Sequence, residues 1–105
     1  MIEIIRVKPV LSIEERDKTL NSHYCQGEVE IYWNKIFNAV HVYYKNGGMI
    51  SLRCSDEPTA SIFSPHYNRW GYFSREATIK VYNKLFTEMG KKMTELFLKH
   101  NRTML

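Results

Sequence analysis

The hydrophobic period of this chain changes once, at Ser74, and that change restricts the fold more than any other feature. Before it, apolar residues alternate with polar ones in short runs; after it, they recur every three or four residues. Val29, Ile31 and Trp33 alternate with Glu28, Glu30 and Tyr32, as a strand with one buried face requires. Ala39 to Tyr44 follows suit, with Val40, Val42 and Tyr44 on one face and Ala39, His41 and Tyr43 on the other. Lys45-Asn46-Gly47-Gly48 then offers the positive φ angles of a tight hairpin, and Met49 to Cys54 returns antiparallel. Ser55 to Pro58 turns again, and Thr59 to Phe63 is a further short strand. A strand is also expected over Ile2 to Val7, which Pro9 either ends or puts at a sheet edge.

Beyond Ser74, the expected N-cap, the residues Ile79, Tyr82, Leu85, Phe86, Met89, Met93, Leu96 and Phe97 draw one apolar stripe along a helix. A helix from Arg75 to about His100 measures ~39 Å at about 1.5 Å per residue, more than the width of four or five strands. Either it kinks at Gly90 or its second half projects beyond the sheet. A projecting half buries Met93, Leu96 and Phe97 against a second copy of the chain, as a homodimer interface. Nearer the start, Ser12-Ile13-Glu14-Glu15 is a capping box that opens a short helix to about Leu20, and Asn21-Ser22-His23 leaves it. The expected fold is α+β in a single domain, residues 1–105. It has an antiparallel sheet of four to five strands, with a short N-terminal helix and a long C-terminal helix packed on one face.

Of the 105 residues, 44% are hydrophobic and 13% aromatic, enough for one ring-rich core without disulfides or metal. Cys25 and Cys54 are the only cysteines. The opening Met-Ile-Glu-Ile-Ile-Arg turns polar by Arg6 without a small-residue cleavage site, so a reducing cytoplasm and free thiols are expected. No apolar run approaches the ~20 residues of a membrane span, so no membrane partner is expected. The net charge of +4 sets 15 basic against 11 acidic residues, which permits nucleic-acid binding without demanding it.

No catalytic or cofactor motif is present, and neither cofactor nor metal is expected. His23, Cys25, Cys54 and His66 are metal-binding types, but the Cys-x2-4-Cys and His-x3-5-His spacings of structural zinc do not occur. The cysteines read instead as small buried hydrophobes. The segment Pro65 to Arg75 packs four aromatics, two arginines and a histidine into eleven residues between sheet and helix. It reads as a polar-aromatic binding loop, with Trp70 and Phe73 inside and a contact surface centred on His66, Tyr67, Arg69, Tyr72 and Arg75. Lys80, Lys84, Lys91, Lys92, Lys99 and Arg102 fall opposite the apolar stripe, with Glu88 and Glu95 four residues before Lys92 and Lys99. That is a salt-bridged solvent face; the rival reading has Lys80, Lys84 and Lys91 contact phosphate.

From Trp70 to Lys80 the chain resembles small bacteriophage proteins of unassigned activity. These run from a strand through an aromatic-Tyr-Ser segment into Thr and Lys at a helix start. Thr59-Ala60-Ser61-Ile62 stands for their upstream strand, and the likeness covers about positions 58 to 86. It departs where Phe73 separates Tyr72 from Ser74, and where Val81 follows Lys80 in place of the usual His. The resemblance implies a phage or mobile-element origin and a host-takeover or anti-CRISPR type of inhibitor that occupies a surface. The expected function is thus a non-enzymatic binder of a host protein or nucleoprotein complex, with Lys80 and Lys84 steering an anionic partner. The alternatives are direct nucleic-acid binding and a small metal-independent ribonuclease using His66 and its neighbours.

Overall fold

The computed structural model describes residues 10–54, 57 and 59–100. The strand expected over Ile2 to Val7 lies outside them, as does most of the turn from Ser55 to Pro58. Helix α1 (Ile13–Leu20) and a 3-10 turn (His23–Cys25) precede strands β1 (Val29–Asn34), β2 (Ala39–Tyr44), β3 (Met49–Arg53), β4 (Ala60–Ser64) and β5 (Arg69–Tyr72), and helix α2 (Arg75–His100) follows. Among the described residues the strands form one sheet in sequence order, each antiparallel to the next.

Local chemistry sets the boundaries. The Ser12 amide donates to Glu15 Oε1 at 2.9 Å and the Glu15 amide to Ser12 Oγ at 3.1 Å, so the capping box forms as expected. Asn38 and Asn68 take left-handed φ values of 48° and 52° at the β1–β2 and β4–β5 turns, a conformation asparagine tolerates. In the β2–β3 hairpin only Gly47 turns positive, at 110°. Gly48 beside it has no room for a side chain, because a Cβ would sit 2.6 Å from the Tyr24 carbonyl oxygen and 2.7 Å from Cys25 Sγ. The hairpin is seated directly on the 3-10 turn.

The segment expected to be a loop is a hairpin. β5 pairs with β4, Phe63 opposite Trp70 and Ser61 opposite Tyr72. Gly71 interrupts the sequence alternation, yet it is a packing requirement: a Cβ there would lie 2.9 Å from Leu11 Cβ. The Leu11 amide also donates to the Trp70 carbonyl at 2.8 Å.

Both helices cover the same face of the sheet. Val40, Val42, Ile50, Leu52 and Ile62 point into that layer and are fully buried, against Val81, Leu85, Met93 and Phe97 of α2. Ser74 caps α2 by accepting the Ala77 amide at 3.2 Å. The helix breaks at Met89 (φ −134°, ψ 29°), one residue before Gly90, and its second half returns over the sheet. His100 stacks on Trp33 with ring centroids 3.8 Å apart.

That bend corrects the expected dimer interface. Met93 and Phe97 are 0% and 1% exposed within a single chain, and Leu96 is half-buried, so these side chains are already covered. The inward face also differs from the expected stripe. Thr78, Val81 and Leu85 face the sheet, which leaves Ile79 49% exposed. Tyr82 fixes this rotation, its hydroxyl donating to the Arg53 carbonyl at 3.0 Å.

Candidate functional site

Because side chains alternate along a strand, the face opposite the helices carries its own residues in rows. Tyr32, His41, Ser51, Ser61 and Tyr72 stand in one row across β1 to β5; Glu30, Tyr43, Met49, Phe63 and Trp70 stand in the next. Ala39 and Arg53 are paired in a third. The small residues Ser51, Ser61 and Ala39 make a low floor, and the rings beside it make walls. Together they enclose a cleft of about 640 Å³, lined also by Phe37, His41, Tyr43, Arg53, Trp70 and Tyr72. Its rings remain in reach of solvent: Phe37 is 61% exposed and Tyr72 63%.

The walls are ordered by ring contacts. Tyr32 and Tyr43 stack at 5.2 Å with planes 10° apart, and Phe63 meets Trp70 at 5.5 Å. A hydrogen bond with Tyr43 raises the Tyr32 phenol above its ordinary range, with burial adding to the effect. His41 is the centre of the arrangement. It is 3% exposed, with Tyr32, Phe37 and Tyr43 centroids at 5.8, 5.8 and 6.0 Å. Burial lowers its pKa below 6.5, so the ring is neutral at pH 7. Its Nδ1 is buried with no hydrogen-bond partner among the described residues, an arrangement native interiors rarely leave unexplained. Among the described residues Arg53 is the one charged residue lining the cleft.

The residues singled out from sequence do not converge here. Tyr72 is on the cleft, whereas Arg69 belongs to the helix-covered face and pairs with Glu15 at 3.1 Å, its guanidinium 5.6 Å from the Tyr67 ring centroid. Tyr67 is half-buried against the core, and His66 meets its ring edge-on at 4.7 Å from the turn. Arg75 is exposed at the first residue of α2, and Lys80 is exposed one turn later. Lys84 pairs forward with Glu88 at 3.4 Å, so Glu88 is held by the lysine four residues before it and not by Lys92. Trp70, expected inside, stands on the open face, while Phe73 is buried under the Arg16 guanidinium at 4.9 Å.

Sequence reasoning missed His41, Ser51, Arg53 and Ser61. The signal was the outer register of β2, β3 and β4, whose residues were legible as a second face but not as the uncovered one. A smaller cavity of about 450 Å³ lies between the end of α1, β1 and α2, lined by Cys25, Tyr44, Lys84 and Glu88 among others. Burial raises the Tyr44 phenol and pushes Cys25 up to about 11, so both stay protonated at neutral pH. Among the described residues no group of three or more His, Cys, Asp or Glu side chains could hold a metal ion, and no helix is long and apolar enough to cross a membrane. No protein-family model, curated protein or solved structure matches this chain.

Proposed function

We propose that this protein is a non-enzymatic binder that captures a protein partner on the open face of its sheet. One observation carries this reading: among the described residues the cleft combines Phe37, Tyr43, Met49, Trp70 and Tyr72 with a single arginine, and no described lysine or carboxylate lines it. Protein interfaces are enriched in these aromatics, methionine and arginine, and depleted of lysine and acids. A groove that tracks a nucleic-acid backbone needs a basic lining instead, which makes direct nucleic-acid binding the second reading, supported by the exposed rings alone. The likeness to phage proteins adds a context: inhibition of a host nucleic-acid-processing complex in the cytoplasm by occupation of its surface.

The test is affinity capture from nuclease-treated host lysate, comparing the native chain with a Tyr43→Ser, Trp70→Ser variant. The reading expects a discrete protein partner that survives nuclease and is lost in the variant. Recovery of nucleic acid alone, in samples left without nuclease, would sink it.

A further inference from the structure

The cleft has a direction as well as a composition. His41 on β2 and Tyr72 on β5 are separated by three strand spacings, about 14 Å between backbones, with Ser51 and Ser61 low between them, while Met49 and Phe63 stand between Tyr43 and Trp70 in the next row. That gap admits one further side chain with its backbone. The Ser51 and Ser61 side chains at this floor are half-buried and still in reach of solvent. Arg53 stands two residues beyond Ser51, the cross-strand partner of His41, so about 7 Å further along. It is exposed and takes part in none of the ion pairs among the described residues.

These groups discriminate between guests. A leucine fills volume but takes water from the Ser51 and Ser61 hydroxyls without pairing them, which offsets the packing it gains. A lysine meets Arg53 as a like charge. A tryptophan or tyrosine stacks on the walls and brings a hydrogen-bonding edge to the floor. An acidic neighbour, one Cα step of about 3.8 Å away, reaches the guanidinium with its own side chain. Charge complementarity points the same way at longer range, since the whole chain carries +4.

Resting on the binding reading above, we propose that the cleft receives from its protein partner a tryptophan or tyrosine side chain whose chain neighbour is Asp or Glu. The ring lies over Ser51 and Ser61, between His41 and Tyr72, its polar edge meets a serine hydroxyl, and the carboxylate pairs with Arg53.

The test is an NMR titration of the isotope-labelled full chain with blocked dipeptides Trp-Asp, Trp-Lys and Leu-Asp, and with uridine monophosphate. The expected result is that Trp-Asp moves the Ser51 and Ser61 amides and the His41 ring signals, binding about tenfold tighter than either other dipeptide. Arg53→Gln, an exposed position whose variant keeps a dispersed spectrum, removes the advantage over Trp-Lys. Equal affinities, no shift in the cleft at any soluble concentration, or preference for the nucleotide would overturn the proposal. Failure of every dipeptide with partner capture still lost in the Tyr43→Ser, Trp70→Ser variant overturns the anchor alone. Capture that persists in that variant overturns the binding reading with it.

Discussion

Arg69 and Trp70 are neighbours in β5 and serve opposite faces of the sheet. Arg69 reaches back to Glu15 of α1 at 3.1 Å, while Trp70 lines the open cleft. A segment that is one aromatic-basic cluster in sequence is thus divided by strand alternation into a half that ties the sheet to α1 and a half that faces the open cleft.

Arg69→Ala is therefore expected to affect stability and leave binding alone. Both side chains of the pair are about three-quarters buried, at 28% and 25% exposure, so solvent screens them only in part. Truncation should lower the urea midpoint, through the lost ion pair and the lost guanidinium contact with Tyr67. Urea unfolding of Arg69→Ala and Glu15→Ala, with capture of the partner measured in parallel, checks both halves of the statement.

His41 should make stability depend on pH. Its folded pKa lies below 6.5 because burial disfavours the charged ring, whereas the unfolded chain protonates freely. The unfolded state then binds more protons between the two values, so stability is full above about pH 6.5 and falls as pH drops through that window toward the folded pKa. Comparing unfolding midpoints from pH 8 to pH 5 for the native chain and His41→Phe checks this; the variant should lose that part of the slope.

The glycines should separate sharply. Gly48→Ala drives a methyl group against the Tyr24 carbonyl at 2.6 Å and should cost about 2 kcal/mol or more. Gly90→Ala meets nothing within 4 Å and should stabilise the helix by about 0.5–1 kcal/mol. Thermal melts of the two variants decide the matter.

Neither thiol should react in the folded protein. Cys25 and Cys54 are 2% and 5% exposed, and burial raises both, Cys25 to about 11. Iodoacetamide at pH 8 should leave both unlabelled natively and label both in denaturant, as read by mass spectrometry.

What could be read from sequence follows from how local the determinants are. The capping box, the alternation of β1 to β3 and the turn at Gly47 are encoded within a few residues, and the structure matches those expectations closely. β5 was hidden because Gly71 is explained by Leu11, sixty positions away. The bend at Met89 left two outcomes open until Met93 and Phe97 were seen packed on the chain's own sheet. The cleft was the least legible part. Both faces of β2 carry buried residues, Val40 and Val42 on one and Ala39 and His41 on the other, so the pattern alone does not say which face the helices cover.

The central claim is that the open face, and not the lysine face of α2, meets the partner. Site-specific photocrosslinking tests it most directly, with benzoylphenylalanine in place of Tyr72 on the cleft or of Lys91 on the outer side of the helix. The account predicts a discrete, nuclease-resistant protein adduct from position 72 and none from position 91. Adducts from position 91 alone, or only to nucleic acid, would contradict it.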